Sequence, residues 1–292
     1  MTTALLAPDE PPPFLCENPD GSSAFVLVCE HGGRRLPKAL GDLGLDAKSR
    51  SKHIALDIGA LDLARSLAKR LDAPLAHQPY SRLVCDCNRR PDVESFIPAL
   101  GEGEVIPGNQ DLRPGAFERR LESIWQPFHG SLAALLDRRR RAGLATLLVS
   151  IHSFTPVFFG KSRPWRAAVL YERNQDLAPS LLAQLQGQLG DLVGDNQPYR
   201  MSRDDDYTIP VHGEDRGLPC AEIEVRNDQL RHKEGLETWA ERLAESLRAA
   251  ALTCRLPFES RGWTERRDPD EQDPLGCLNR AGRQGSRRGS SG

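Results

Sequence analysis

Two apolar runs, each about as long as a buried strand, end in a histidine. The first is AFVLVCEHGG at residues 24–33, and the second is LATLLVSIHSF at residues 144–154. Apolar character without polar alternation over so few residues is typical of a strand buried on both faces of a parallel sheet. The pattern therefore predicts an α/β protein in which His31 and His152 lie at the carboxyl ends of two core strands.

The rest of the chain alternates between helix-like and strand-like patterns. Apolar residues recur at helical spacing over four segments, the first with Asp57 in its early part: 53–71, 115–141, 177–190 and 235–254. Three more strands are predicted: SRLVCD (81–86), AAVLYE (167–172) and CAEIEVRND (220–228). Two polar segments rich in proline and glycine are predicted as long loops: 91–112 and 194–219. This alternation predicts an α/β fold with a mostly parallel mixed sheet flanked by helices.

The composition excludes several classes of protein. Hydrophobic residues make up 39% of the 292 residues and charged residues 27%, as in an ordinary globular protein. The net charge of −2 gives no basic excess for binding nucleic acid. No segment has the ~20 apolar residues of a membrane helix, and the start lacks the pattern of a signal peptide. We therefore expect a cytoplasmic protein that binds neither nucleic acid nor membranes.

The seven cysteines are predicted to be reduced. Their number is odd, none forms a CxxC pair, and several lie in apolar runs, which favours buried thiols over disulfides or a zinc knuckle.

The chain is predicted to hold a single domain between two less regular ends. Residues 1–20 are rich in proline and acidic residues and are expected to lie loosely on the surface. Residues 258–292 contain almost no branched apolar residues and are predicted to be a disordered tail. The folded domain is therefore expected over residues 21–257.

The predicted sheet brings several polar side chains to one edge. In such a sheet the carboxyl ends of parallel strands share one rim, where ligands bind. Two histidines there suit a catalytic zinc site, and a buried carboxylate nearby can act as general base. Structural histidines and a Glu224–Arg226 pair on a solvated face are the plainer alternatives. The residues expected at the rim are His31, Arg82, Asn88, Arg89, His152 and Glu224.

Six ordered motifs resemble those of the N-formylglutamate amidohydrolase family. They are VLVCEHGGRRLP, HIALDIGA, YSRLVCDCNRRP, IPGN, SIHSFTPVFFGKSRPW and EIEVRND, which together span roughly residues 25–230. The CEHGG and IHSFTP forms resemble the branch described as predicted N-formylglutamate amidohydrolases. The family is distantly similar to zinc carboxypeptidases and to the aspartoacylase and succinylglutamate desuccinylase group. The resemblance thus implies a phosphorylase/hydrolase-like fold and one Zn²⁺ ion.

The resemblance also implies a set of metal ligands, with one departure. His31 matches the strand-end histidine that opens the metal site in the wider group, and His152 matches its third ligand. The group's second ligand is a glutamate three residues after the first, where this chain has Arg34. Since a guanidinium does not ligate zinc, Asp57 is the preferred replacement. Glu30 and His53 remain alternatives.

Further roles follow from the same resemblance. The segment Asp86–Arg89 is similar to a DLNR motif in which Asn88 and Arg89 would bind the substrate carboxylate. Arg82 matches an arginine that stabilises the oxyanion, and Glu224 falls at the position of the general base and acid. Apart from the resemblance, Arg163, Tyr199 and His212 lie in polar loops and are expected either to complete the pocket or to act as a second carboxylate clamp, with Arg163 assigned to substrate binding. Ordinary solvated loop residues are the alternative.

The predicted activity is hydrolysis of an amide bond in a small acidic N-acyl amino acid such as N-formylglutamate. Three alternatives stay open: a zinc carboxypeptidase or other deacylase, a metal-free carboxylate-binding protein, and a cysteine hydrolase that uses Cys29 or Cys85. The sequence specifies no oligomeric state.

Overall fold

A computed structural model describes residues 4–173 and 176–254 of the chain. Within these residues, seven strands form the central sheet: β1 (Leu15–Glu17), β2 (Phe25–Cys29), β3 (Leu75–His77), β6 (Leu147–Phe154), β9 (Ala167–Leu170), β10 (Val193–Asp195) and β11 (Cys220–Arg226). Two hairpins lie outside that sheet: β4 (Leu100–Gly101) with β5 (Glu104–Val105), and β7 (Val157–Phe158) with β8 (Lys161–Ser162).

The central sheet is mixed but mostly parallel, as the sequence predicts. Its strand order is β1-β3-β2-β6-β11-β9-β10. The four middle neighbours β3, β2, β6 and β11 run parallel to one another. Strand β1 is antiparallel to β3, and β9 is antiparallel to β11 while pairing in parallel with β10. The carboxyl ends of β2, β6 and β11 therefore meet at one rim.

Helices cover both faces of the sheet. They are α1 (Ala60–Leu71), α2 (Ala116–Arg120), α3 (Gln126–Arg141), α4 (Leu177–Leu189) and α5 (Lys233–Ala251). A π-helical turn, Leu121–Trp125, joins α2 to α3, and a second one spans Thr208–Gly213. No helix among residues 4–173 and 176–254 has the length and apolar character needed to cross a membrane.

The two faces of the sheet differ in what they bury. On β6, Leu147, Val149 and Ile151 point to the face that packs against α1, α4 and α5. The alternate residue Leu148 packs on the opposite face, which α3 covers, and this face ends in buried polar residues including His152. We call the two the apolar face and the site face.

Most predicted elements are confirmed. The strands predicted at 24–33, 144–154, 167–172 and 220–228 correspond to β2, β6, β9 and β11, and the helices predicted at 115–141, 177–190 and 235–254 are present with shifted ends. All six cysteines in the described part of the chain are free thiols, as predicted.

The strand predicted at SRLVCD is wrong, because residues 82–84 form a turn and none of residues 81–86 belongs to a strand. The Ser81 hydroxyl accepts a hydrogen bond from the Leu83 backbone N–H at 3.2 Å, and the Ser81 carbonyl accepts one from Val84 at 2.9 Å. Local side-chain hydrogen bonds of this kind compete with a strand ladder. The branched residues of this segment are buried in a turn rather than in the sheet.

The first helix begins at Ala60 rather than at residue 53, so Asp57 precedes it. Gly59 adopts a left-handed conformation with φ of 82° and interrupts the helical path. The Asp57 backbone N–H instead donates to the His31 carbonyl at 3.0 Å. This hydrogen bond ties the aspartate to the end of β2.

The sequence patterns did not predict the short elements at the edges of the fold. Strands β1, β3 and β10 have three residues each, and β1 lies within the segment expected to be loose. The predicted loop at 91–112 contains the β4/β5 hairpin, and the loop at 194–219 contains a π-helical turn. The tail predicted at 258–292 lies outside the described residues.

Candidate metal centre and catalytic cleft

A cleft of about 250 Å³ opens at the rim where β2, β6 and β11 end. All six residues expected at this rim line it: His31, Arg82, Asn88, Arg89, His152 and Glu224. The six side chains do meet at this rim, but strands β2, β6 and β11 bring only His31, His152 and Glu224 there, and the other three come from the turns after β3. Asp57, Asp86, Glu222 and Tyr199 line the same cleft.

Two histidines and one aspartate converge at the base of the cleft. Asp57 Oδ2 lies 2.8 Å from His152 Nδ1 and 3.3 Å from His31 Nδ1. One donor atom from each of the three residues lies within 4.8 Å of the others, and all three side chains are buried. We call this group the His-Asp-His centre.

Local backbone packing positions this centre. His31 follows β2 at a bend where Gly33 packs so closely on Pro79 that a Cβ atom would lie 2.1 Å from the Pro79 carbonyl carbon. His152 belongs to β6, which pairs in parallel with β2. The histidines therefore come from adjacent parallel strands, and Asp57 reaches them from the turn before α1.

A second carboxylate stands behind each histidine. Asp86 Oδ1 accepts a hydrogen bond from His31 Nε2 at 2.6 Å. Glu30 Oε2 lies 3.1 Å from His152 Nε2 and also accepts a hydrogen bond from the Ser150 hydroxyl at 2.7 Å. Since each Nε2 faces its own carboxylate, each Nδ1 lies on the side of Asp57.

The buried carboxylates of the centre favour positive charge on the groups between them. Burial alone would raise the pKa of Asp57, but His31 and His152 hold it well below its usual range. The pKa of Glu30 falls to about 2 despite burial, because His152 contacts it. Burial opposes charge on His152, yet Glu222, Asp57 and Glu30 raise its pKa well above the ordinary value. The buried acids thus stabilise a cation here.

The donor set fits a metal ion. Imidazole nitrogen and carboxylate oxygen are ligands that zinc takes, and three protein ligands leave one position open. A carboxylate behind each metal-ligating histidine is the usual arrangement, since it fixes the tautomer and the ring orientation. The observed pairs His31–Asp86 and His152–Glu30 match that arrangement.

The rival ligands lie in different positions. His53 Nδ1 is 3.8 Å from Asp57 Oδ1, farther from the centre than either of the other histidines. Glu30 contacts the outer nitrogen of His152, on the side away from Asp57. Arg34 is exposed and lines a different cavity. Asp57 is therefore the best-placed third donor.

Two glutamates of β11 face the cleft next to this centre. In the parallel register Glu224 pairs with His152, and Glu222 pairs with Ser150. Both carboxyl groups are buried, and burial raises the pKa of Glu222 to about 7 and that of Glu224 well above its usual range. Glu224 Oε2 has no hydrogen-bond partner among the described residues.

A buried ion-pair network holds Arg82 at the wall of the cleft. Its Nε and Nη2 donate to Asp86 Oδ2 at 2.9 and 2.5 Å, and its Nη1 lies 3.4 Å from Asp57 Oδ1. Burial opposes its charge, but Asp86 and Asp57 keep its pKa above the ordinary value. Arg82 is therefore a fixed cation beside the His-Asp-His centre.

The predicted carboxylate-binding pair is partly engaged within the protein. Asn88 Nδ2 donates to Glu222 Oε2 at 3.1 Å, and its Oδ1 accepts from the Thr208 backbone at 3.0 Å. Arg89 Nη1 forms an ion pair with Asp206 and donates to the Asn88 carbonyl at 3.1 Å. The guanidinium Nε and Nη2 groups of Arg89 have no hydrogen-bond partner among residues 4–173 and 176–254.

Arg163 is a buried cation with aromatic neighbours. Its guanidinium carbon lies 4.5 Å from the Phe158 ring centroid and 4.7 Å from that of Tyr199, and both rings line the cleft. Its Nη1 contacts the Thr155 hydroxyl at 3.3 Å. Within the described residues it has no carboxylate partner, but it is not among the residues that line the cleft and lies behind these two rings.

Sequence reasoning left several site residues without a role. Glu222 could have been found from strand alternation, because it lies two residues before Glu224 and hence on the same face. Ser150 precedes His152 by the same spacing. Glu30 was predicted only as an alternative metal ligand and Asp86 only as part of the DLNR-like motif, because their contacts with the histidines depend on tertiary packing.

The cysteine alternative is not supported by the geometry. Neither Cys29 nor Cys85 is among the residues that line the cleft. Burial raises the pKa of the Cys29 thiol far above its ordinary value, which disfavours the nucleophilic thiolate.

The fold and site define a class: an α/β protein with a buried histidine–carboxylate centre at the carboxyl ends of its parallel strands. Residues 23–231 match the family model described as N-formylglutamate amidohydrolase. The chain belongs to that family and is thereby classed with amidohydrolases.

One curated relative and two solved structures are similar to this chain. An N-formylglutamate deformylase of Pseudomonas putida is 34% identical over 194 residues, which cover 60% of this chain and 68% of the relative. A crystal structure of a gene product from Agrobacterium tumefaciens has a TM-score of 0.82 at 34% identity, over 85% of this chain and 98% of the other. An N-formylglutamate amidohydrolase from Ralstonia eutropha shares the fold, with a TM-score of 0.57 at 18% identity over 82% of this chain and 98% of that chain.

Proposed function

We propose that this protein is a zinc-dependent hydrolase that cleaves the amide bond of a small acidic N-acyl amino acid such as N-formylglutamate. The observation that carries the proposal is the His-Asp-His centre, in which a separate carboxylate stands behind each histidine. Family membership and the deformylase of Pseudomonas putida support the reaction type and the substrate class.

One Zn²⁺ ion would be held by His31 Nδ1, His152 Nδ1 and an Asp57 carboxylate oxygen. Bound there, the ion would supply Lewis acidity that polarises the acyl carbonyl and favours ionisation of the attacking water. Asp86 and Glu30 would keep both Nε2 atoms protonated, so that both Nδ1 lone pairs face inward.

Glu224 is assigned the role of general base and then of general acid. Its carboxylate takes a proton as the water oxygen attacks the acyl carbon. The amide C–N bond then breaks, and Glu224 returns the proton to the departing amine nitrogen. The products are the free acid, which is formate for a formyl substrate, and the free amino acid. Its raised pKa suits a group that both accepts and returns a proton.

Arg82 is assigned to the negative charge that develops on the carbonyl oxygen. Its ion pairs with Asp86 and Asp57 hold the guanidinium at the cleft wall before substrate binds. Preorganised charges of this kind need little rearrangement during the reaction.

Arg89, Asn88 and Arg163 are assigned to the carboxylate groups of the substrate. The guanidinium fork suits a carboxylate because it donates two parallel hydrogen bonds. Arg89 keeps N–H groups available despite its pairing with Asp206, whereas the Asn88 amide already serves Glu222 and Thr208. Asn88 would thus act mainly by orienting its neighbours. For an acidic substrate with two carboxylates, Arg89 would contact one in the cleft, and Arg163 would act on the other from behind the Phe158 and Tyr199 rings.

Metal analysis and a substrate panel test this proposal. Protein prepared without chelators should hold about one equivalent of zinc by elemental analysis, or take it up on reconstitution. The zinc-loaded protein should hydrolyse N-formylglutamate faster than N-formyl derivatives of uncharged amino acids. Protein that cannot be loaded with any metal would contradict the metal role, and faster cleavage of short peptides would favour a carboxypeptidase.

The third ligand is tested by two matched variants. Asp57→Ala should lower zinc affinity strongly, because it removes the oxygen that faces both Nδ1 atoms. His53→Ala should leave zinc affinity nearly unchanged, since its ring is farther from the centre. The opposite ranking would assign the ligand role to His53, and an unchanged affinity in both variants would point to Glu30.

A further inference from the structure

A second cavity, of about 730 Å³, lies behind the bend that follows His31. Gly32 and Gly33 form part of its wall, and four arginines line it: Arg34, Arg35, Arg50 and Arg65. No aspartate or glutamate is among its lining residues. This composition contrasts with the net charge of −2 for the whole chain. We call it the arginine cavity.

Three of these arginines have no ionic partner in the described part of the chain. Arg65 is neutralised by Glu17, to which it donates two hydrogen bonds of 2.8 and 2.9 Å. Arg34, Arg35 and Arg50 form no ion pair with any described carboxylate, although Arg50 Nε contacts the Asp46 carbonyl at 3.4 Å. The cavity therefore carries about three uncompensated positive charges.

A buried histidine forms part of the cavity wall. His77 lines the same cavity and is only 4% exposed. Its Nε2 lies 3.0 Å from Glu17 Oε1, and its buried Nδ1 has no hydrogen-bond partner among the described residues. This nitrogen is not accessible to solvent, so a ligand in the cavity would be held by the arginines and not by His77.

The other lining residues offer an apolar surface next to the charges. Leu15, Leu36, Leu61 and Pro79 contribute to the same walls. A ligand that matches the whole cavity would combine a multiply charged anionic group with a small apolar body. Arginine forks bind phosphate oxygens in pairs, and three unpaired guanidiniums match a dianion better than a single carboxylate.

We propose that the arginine cavity is a binding site for a small phosphate monoester, separate from the catalytic cleft. The phosphate oxygens are bound by Arg34, Arg35 and Arg50. The apolar body of the ester packs against the leucines. The site is independent of the proposed hydrolysis, because none of its arginines belongs to the catalytic assignments.

Calorimetric titration with phenyl phosphate at about 0.15 M salt tests this site. The full chain should bind one equivalent of phenyl phosphate. Phenol and inorganic phosphate should each bind more weakly, because phenol lacks the phosphate group and inorganic phosphate lacks the apolar body. Arg34→Ala and Arg50→Ala should each weaken binding by about tenfold, as expected for loss of a charged hydrogen bond. Arg113→Ala removes an exposed arginine elsewhere and should change the affinity by less than about twofold.

Several results would overturn the proposal. Absence of saturable binding would do so, as would equal affinity in the Arg34, Arg50 and Arg113 variants, since the anion would then bind elsewhere, for instance in the catalytic cleft. Thermal melts of each variant establish that the fold is retained. Where Arg50→Ala melts early, Arg50→Lys serves instead, and it should still weaken binding because lysine lacks the planar fork.

Discussion

The two faces of the central sheet use the same strands for opposite purposes. On β6, Ile151 is fully buried on the apolar face, while the next residue, His152, is just as deeply buried on the site face. On β11, Ile223 and Glu224 show the same alternation. The apolar face buries side chains that require no hydrogen-bond or ionic partner. The site face buries charged side chains that must be paired with one another.

Within a single strand, residues on one face therefore contribute to stability and residues on the other face to the catalytic site. An apolar side chain contributes by being removed from water. A buried charge is costly unless another charge or hydrogen bond compensates it. The site face meets this condition through pairs such as His31–Asp86 and Arg82–Asp86. Substitutions on the two faces should therefore produce different losses.

The largest expected effect is on the site face, at Glu224. Glu224→Gln keeps the shape of the side chain but removes the proposed proton acceptor, so kcat should fall by about 10² to 10⁴ while zinc content is retained. Steady-state assays with N-formylglutamate and elemental analysis measure both. Glu222→Gln, two residues earlier on the same face, is the matched control and should cost much less. Equal losses in the two variants would remove Glu224 from its assigned role.

The corresponding loss on the apolar face should be in stability. Ile151→Ala should lower the free energy of unfolding by about 2–5 kcal/mol, because it leaves a cavity in the core. Urea denaturation gives this value. At temperatures where the variant is folded, its kcat should stay within about threefold of the wild type. A greater loss of activity would show that the two faces are not separable.

A smaller effect is expected behind the metal centre. Asp86→Asn replaces the carboxylate that accepts from His31 Nε2 and from Arg82, so zinc affinity should fall by about 10- to 100-fold. Competition with a chelator measures this change. Asp92→Asn breaks only an exposed pair with Arg90 and is the control. Unchanged affinity in Asp86→Asn would mean that this carboxylate does not tune the centre.

The smallest expected effect concerns a histidine pair packed behind the site. His129 Nδ1 lies 3.0 Å from His212 Nε2, and burial lowers the pKa of His129 from 6.5 to about 4. Between these values the unfolded chain binds a proton that the folded chain does not, so this group makes stability fall as the pH falls. His129→Phe should therefore reduce the loss of unfolding free energy between pH 7 and 5, by up to about 2 kcal/mol.

Urea denaturation at the two pH values tests this difference in slope. His232→Gln, a change at an exposed histidine, is the control. The same pH dependence in His129→Phe and in the wild type would show that His129 is not the group responsible.

Sequence patterns predicted the parts of the fold that depend on local periodicity. The apolar runs at β2 and β6 located both strand-end histidines, and parallel pairing explains why they meet. The same pattern predicted a strand at residues 81–86, and that prediction was wrong. Val84 and Cys85 are buried, but they follow a turn stabilised by hydrogen bonds to Ser81. Burial was predicted correctly there, and backbone geometry was not.

The site divides in the same way. Residues at strand ends, such as His31 and Glu224, were predicted because topology alone brings them to the rim. Asp57 was predicted as a ligand but placed within a helix. The left-handed conformation of Gly59 makes the helix begin after Asp57, and the Asp57 backbone N–H donates a hydrogen bond to the His31 carbonyl instead. The pairing of Asp86 with His31 depends on packing between distant segments, which no local pattern records.

The long sequence separations within the His-Asp-His centre link it to folding. Asp57 lies 26 residues from His31 and 95 from His152. Contacts between such distant residues form only after the loss of chain entropy in closing long loops. A partly folded chain in which β6 has not yet docked on β2 would hold at most two of the three donors. Metal uptake followed in time during refolding should therefore report when the middle of the sheet assembles.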